Sequence, residues 1–296
     1  MTKAVERLRS GLVVGHAGLR SVRTSDPVGK DVHDGDTVAV LAAGDVGVRF
    51  LGVDAPEATV PLPGTQAPPV ALDDPRWEQA LAATFAPGAH PLGPAADPAL
   101  VAHLEARAVV GEAVNHARFA AAARIALVDM VSKDMAALGV SAAGFRFFLA
   151  FAADVLDRNG RLLGYVKPDQ PDVPAEQRLG SYNERLLAAG WASPYFIWPN
   201  TSPWRAAPAV VDAVPAPGTA AQAAAADPAL AAARASVKAA RRQPPDRWLV
   251  DLGGDGDTLI PPQCYPRVPL PEDRLFIPAE YVPLWVEKGW QRPRGR

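Results

Sequence analysis

The stretch VHDGDTVAVLAAGDVGVRFLGVDAPE, Val32 to Glu57, decides how the rest of the chain is read. Thr37 to Leu41 is a short β-branched and apolar run. Ala42 to Asp45, with Gly44, has turn composition, and Val46 to Val53 is a second apolar run. The pattern predicts two strands joined by a turn. Carboxylates stand at both ends: Asp34 and Asp36 before the hairpin, Asp54 and Glu57 after it. A hairpin centred near Asp45 sets Asp36 opposite Asp54. Like charges directly opposed destabilise a strand pair, and the arrangement makes sense if a hard cation that takes oxygen ligands, Ca²⁺ or Mg²⁺, lies between them. Arg49 alternates on one face with Leu51 and Val53, and a guanidinium on an apolar face is costly unless an anion partners it. Glu57 follows Pro56, whose ring fixes the local backbone. A carboxylate–metal cluster, a further acid and a fixed cation suit water attack on a phosphodiester. A blander reading stands beside this one: Asp-Gly is common turn chemistry and Ala-Pro-Glu an ordinary loop.

Composition bounds the rest. The chain has 296 residues, room for one large domain or a core domain with additions. Hydrophobic residues make up 49%, much of it alanine, so a core is within reach; the 31 prolines point to long irregular stretches. A net charge of −2 excludes a global basic field, so any hold on nucleic acid has to be local or metal-assisted. The single cysteine, Cys264, excludes an intramolecular disulfide and a cysteine-based zinc site. No apolar run reaches the roughly 20 residues that a membrane helix needs. The opening MTKAVERLRSGLVVGHAGLRSV lacks a sustained apolar segment and a cleavage site. The expectation is therefore a cytoplasmic protein without a membrane partner, export by another route being left open.

Taken in order, Gly11 to His16 is the first strand candidate, and His16 and His33 lack metal-ligand spacing. Residues 59–96 are rich in Pro, Ala and Gly and read as an insertion or lid-like loop, an exposed excursion with a short helix from Arg76 to Phe85. Asp97-Pro98 opens a helical pattern that runs to about Met130, with Gly111 as a weak point and His103 and His116 as surface or half-buried residues. Phe145 to Leu156 reads as a strand, Asp157-Arg-Asn-Gly160 as a tight turn, and Arg161 to Val166 as the returning strand. Tyr182 to Gly190 is a short amphipathic helix with Gly190 closing it. Tyr195, Phe196 and Trp198 form an aromatic cluster, either core or a stacking surface for bases. Residues 206–225 are Ala/Pro-rich; Asp227-Pro228 caps a basic helix to about Arg242, followed by Trp248. A second Asp-Gly-Asp-Thr, Asp255 to Thr258, lacks the downstream partner motif and reads as a turn.

Four of these stretches, VHDGDTVAV, VRFLGVDAPE, VLDRNGRLLGYV and YNERLLAAGWASPYFIWPN, resemble the staphylococcal nuclease-like (thermonuclease) family in motif, order and context. The likeness implies an α+β fold: a five-stranded OB-type β-barrel with about three helices, Pro/Ala-rich insertions and a C-terminal extension. Residues 10–250 would be the nuclease-like domain, with insertions at about 59–96 and 203–226, and 251–296 the extension. The activity implied is metal-dependent hydrolysis of DNA and often RNA, usually with Ca²⁺. Carried over by position, Asp36, Asp54 and the carbonyl of Ala55 would hold the metal, with Asp34 just outside orienting them. Glu57 would position or deprotonate the attacking water, and Arg49 and Arg161 would clamp the phosphate and stabilise the transition state. Arg158, Tyr195 and Trp198 are possible nucleic-acid contacts. The chain departs from the family where Asn159 replaces a common tyrosine, Arg158 a common lysine and Ala55 a threonine, and in the long insertion after Glu57.

The competing expectation is a non-catalytic OB module that binds nucleic acid or protein. Such modules typically lose the acidic or arginine positions, whereas Asp36, Arg49, Asp54, Glu57 and Arg161 are all present. A third is a structural domain whose Pro-rich insertions serve as contacts in an assembly.

Overall fold

The structure, a computed structural model, describes residues 3–9, 13–19, 23, 25–26, 40–42, 44–62, 68–84, 111–201, 212, 214, 216, 231–232, 235, 239, 275–276 and 282–289. The strands are β1 (Val5–Arg7), β2 (Val13–Gly15), β3 (Ala17–Leu19), β4 (Val40–Ala42), β5 (Val48–Phe50), β6 (Gly52–Asp54), β7 (Thr59–Val60), β8 (Val70–Ala71), β9 (Phe147–Leu156), β10 (Leu162–Pro168), β11 (Ser193–Ile197) and β12 (Leu275–Phe276). The α-helices are α1 (Arg76–Thr84), α2 (Glu112–Ala137), α3 (Tyr182–Ala188) and α4 (Val282–Glu287), with a 3₁₀ turn at Ala175–Gln177. The fold is mixed α+β. Its described strands form two three-stranded sheets, β5-β10-β9 and β12-β11-β6, and three two-stranded ones, β1-β2, β3-β4 and β7-β8. These sheets do not close into a barrel among the described residues.

Among the described residues, the expected hairpin within Val32 to Val53 does not form between Val40–Ala42 and Val48–Phe50. Val40–Ala42 lies antiparallel to Ala17–Leu19. The second run is split at Leu51 and Gly52: β5 runs parallel to β10, with Arg49 beside Leu163, and β6 runs antiparallel to β11, with Asp54 beside Ser193. The break has a local cause. Gly52 holds φ +73°, and a Cβ there would come within 2.8 Å of the Phe196 ring and 2.9 Å of the Tyr165 hydroxyl; only glycine adopts that backbone without strain at such close quarters. Asp36, the expected partner of Asp54, lies outside the described residues together with Asp34.

β9, its turn and β10 follow the sequence expectation. Their antiparallel register runs from Leu162↔Leu156 to Pro168↔Phe147, with an irregularity between Leu162 and Gly164. Asp157 builds the turn. Its Oδ1 accepts from the backbone N–H groups of Asn159 (2.8 Å) and Arg161 (2.9 Å), an Asx-type turn that Gly160 completes at φ +77°. α3 begins at Ser181 with a reciprocal cap: the Glu184 N–H donates to Ser181 Oγ, and Glu184 Oε2 accepts from the Ser181 N–H. Gly190 follows at φ +77°.

The main core joins α2, α3, β6 and β11 through Val53, Phe119, Ala123, Leu186, Leu187, Trp191 and Phe196. Asn183, on the first turn of α3 and buried, ties β10 to the junction between β5 and β6. Its amide donates to the carbonyls of Leu51 (2.8 Å) and Gly164 (3.2 Å), and its oxygen accepts from the Val166 N–H (3.0 Å). α2 is longer than expected at its C-terminal end, running to Ala137 rather than about Met130, and starts after Gly111 at φ +92°; Asp97-Pro98 lies outside the described residues.

The described part of the insertion, residues 59–62 and 68–84, is not the free excursion expected. β7 and β8 pair, and Leu72, Trp77 and Leu81 bury themselves with Ala113 of α2. Glu78 accepts from the Gly111 N–H at 2.9 Å. This small core seats the insertion on the start of α2. At the other end of the chain, β12 adds in parallel to β11. Of the expected basic helix after Pro228, Ala231, Ala232, Ala235 and Ala239 are described and are helical; Trp248, the 255–258 turn and most of 203–226 lie outside the described residues. No described helix is long and apolar enough to cross a membrane.

Candidate active site

Three separate segments bring Arg49, Asp54, Glu57 and Arg161 together. Arg49 is the middle residue of β5, and Arg161 immediately precedes β10. The parallel pairing of β5 with β10 starts at Val48↔Leu162, anchored by the Leu162 N–H on the Gly47 carbonyl at 2.8 Å. That register sets Arg161 beside Gly47, where a Cβ would lie 3.5 Å from the Arg161 Cγ. Residues 47 and 49 share one face of a strand, so the two arginines approach from adjacent strands on that face.

Asp54 ends β6. Its Oδ1 accepts from Arg49 Nη2 at 2.5 Å, and the Asp54 carbonyl accepts from Ser193 Oγ at 3.5 Å. The anion that the Arg49 position called for is thus Asp54. Burial draws the Arg49 guanidinium down, but the charge and hydrogen bond of Asp54 outweigh it, with help from Glu57 and Tyr195, so Arg49 is held above its ordinary value.

Glu57 is exposed at its surface but crowded underneath. Desolvation, then the neighbouring Asp54 charge, push its carboxyl above the ordinary glutamate value, against the opposing pull of Arg49 and Arg161. The four groups therefore act on one another as a single electrostatic cluster. Arg161 is already partnered: its Nε and Nη2 each lie 2.7 Å from Asp157 Oδ2. Desolvation would raise Asp157, yet the bonds from Arg161 and Asn159 hold its carboxyl below the ordinary value.

Other expected residues fall differently. Ala55 is half-buried between Asp54 and Pro56. Arg158 is exposed on the turn beside Arg161. Tyr195 is half-buried on β11, close enough to Arg49 to add to its stabilisation. Trp198 is 2% exposed and packs edge-to-face on Trp285 at 5.7 Å, so its ring is core and offers no stacking face. Among the described residues no three His, Cys, Asp or Glu side chains form a group able to hold a metal ion; the expected ligand Asp36 is not one of them.

One residue at the site was misjudged from sequence. His116, expected at the surface or half-buried, is 2% exposed, and its Nε2 accepts from the Glu57 backbone N–H at 3.1 Å. The signal available was the spacing Glu112–His116 on one helix face; both side chains are buried.

No family model, curated protein or solved structure matches this chain. The cluster must be judged on its own chemistry. A described groove of about 210 Å³ lies elsewhere, among Phe148, Tyr165, Lys167, Arg178 and Glu184, and none of the expected site residues lines it.

Proposed function

We propose that the chain is a metal-dependent phosphodiesterase of the staphylococcal nuclease-like type, acting on DNA or RNA, with the OB-type barrel of that family as its framework. The observation that carries this reading is the convergence of Arg49, Asp54, Glu57 and Arg161 from three segments. Two cations beside two carboxylates, one carboxylate with raised proton affinity, suit water attack on a phosphodiester.

In this reading Glu57 orients the attacking water and takes its proton, a task helped by a carboxyl poised above its ordinary value. Arg49 and Arg161 hold the phosphate oxygens and meet the charge that grows on them. The donor chemistry fits a hard cation: Asp54, Asp36 and the Ala55 carbonyl are all oxygen donors. Arg49 already shares Asp54, so metal and guanidinium would divide that carboxylate. Bound there, Ca²⁺ supplies Lewis-acid stabilisation of the phosphoryl oxygens.

The test is cleavage of single-stranded and plasmid DNA with Ca²⁺ and with EDTA, using Arg161→Ala as the control for contaminating nuclease. Calcium-dependent cleavage that falls by about 10²-fold or more in the variant supports the reading. No cleavage with any divalent metal overturns it.

One observation favours the second reading, a non-catalytic binding module: both arginines already hold carboxylates within the chain, Arg49 with Asp54 and Arg161 with Asp157. Binding of nucleic acid in EDTA without cleavage in Ca²⁺ is its signature.

A further inference from the structure

We infer that His116 is a positioning residue for Glu57: the imidazole, fixed in the start of α2, holds the Glu57 backbone so that its carboxylate faces Asp54, Arg49 and Arg161. The inference rests on the phosphodiesterase reading for its catalytic consequence, but the contact stands independently of that reading.

Glu57 lies at the end of β6's exit, where the chain leaves the sheet for the insertion. Past Pro56 no strand pairing holds it until Thr59 pairs with Ala71. A backbone N–H at such a place needs an acceptor, and the one it has is a side chain 59 positions away, His116 Nε2 at 3.1 Å. A ring nitrogen that accepts carries no proton, so the neutral imidazole has its proton on Nδ1. His116 is itself immobilised. It is buried, as are Ala113 three residues before it, Phe119 three residues after it and Glu112 one turn earlier. Ala113 belongs to the core that seats the insertion, and Phe119 to the core under β6. His116 therefore stands between the two packed regions that flank Glu57.

The chemistry makes this a matter of catalysis as well as packing. A general base works only when its oxygen is within hydrogen-bond reach of the water it deprotonates. A misplacement of about 1 Å costs about 10²-fold in rate. Loss of the acceptor releases the Glu57 backbone without touching Arg49, Arg161 or Asp54, so substrate binding survives and turnover does not.

The experiment compares His116→Gln, His116→Asn and His116→Leu in the full chain. The glutamine amide oxygen reaches about as far as Nε2 and can still accept; asparagine is polar but too short, and leucine is apolar. Two quantities are read: the exchange rate of the Glu57 amide by NMR, and kcat and KM for single-stranded DNA with Ca²⁺. The expected result is faster Glu57 exchange in the Asn and Leu variants, with the Gln variant close to wild type. With it go a kcat loss of about 10- to 100-fold at nearly unchanged KM, and recovery of most of the kcat in the Gln variant. If His116→Leu does not fold, the Gln–Asn pair carries the comparison. Glu57 amide exchange that stays at the wild-type value in every folded variant overturns the inference, whatever the activity. So does a kcat that falls equally in the Gln and Asn variants. If the wild type cleaves nothing, the phosphodiesterase reading fails, and the NMR readings alone decide the contact.

Discussion

Gly52 is where one residue decides the path of the chain. Its positive φ turns β5 into β6, and its missing side chain admits both the Phe196 ring and the Tyr165 hydroxyl. Gly52→Ala adds backbone strain and overpacking, each worth about 1–3 kcal/mol. The expected loss of stability is about 3 kcal/mol, read from the urea midpoint; a loss below about 1 kcal/mol would show that the two aromatic rings yield easily. Glu57 gives a prediction of opposite sense. Its carboxyl binds a proton more tightly in the folded chain than in the unfolded one. In the window between those two values the folded state holds more protons, so stability falls as pH rises through it. Glu57→Gln is therefore expected to melt higher than wild type near pH 7, with the difference fading below the ordinary glutamate value, while cleavage is lost. A variant that melts lower than wild type at neutral pH would contradict the raised affinity. At this scale the sequence was only partly legible. Arg49's need for an anion could be read from its apolar neighbours. The occupation of Arg161 by Asp157 could have been read from the Asx-turn motif, but the reach of His116 to Glu57 crosses 59 positions and leaves no local trace.

Among the elements, α3 and the β9–turn–β10 unit were legible because their signals are local: a short amphipathic run closed by Gly190, and an Asp-Arg-Asn-Gly turn. The Val32 to Val53 hairpin was misread because its apolar runs find their partners far away, Val48–Phe50 on β10 and Gly52–Asp54 on β11, and periodicity is silent about partners. The insertion was misread for another reason. Proline and glycine flank a short run, Leu72 to Leu81, whose few large side chains are enough to bury against Ala113. That small core yields a prediction. Trp77→Ala removes a buried indole, and cavities of this size cost about 3–5 kcal/mol. Because Ala113 and His116 share a face of α2, the same substitution is expected to speed exchange of the Glu57 amide. Hydrogen exchange that changes only within residues 59–84 would show that the insertion opens without disturbing the site.

For the whole molecule, the α+β class that the family likeness implied is the class of the described residues. Closure of the sheets was not legible in the sequence, since it depends on which edges meet. Net charge sets a further expectation. With −2 overall, the proposed hold on nucleic acid would rest on a few local cations. If Arg49 and Arg161 face phosphates as proposed, the expected slope of log K against log salt is about −1.4 for a single strand. A slope steeper than about −4, measured by anisotropy in EDTA, would mean that a broader basic surface takes part. The Trp198–Trp285 contact joins the end of β11 to α4. Two buried indoles 5.7 Å apart and nearly perpendicular couple optically, so the near-ultraviolet circular dichroism of the protein reports whether α4 is seated. A fragment trimmed at residue 250 would strip one half of that chromophore pair and open to water the ring that Trp285 now covers.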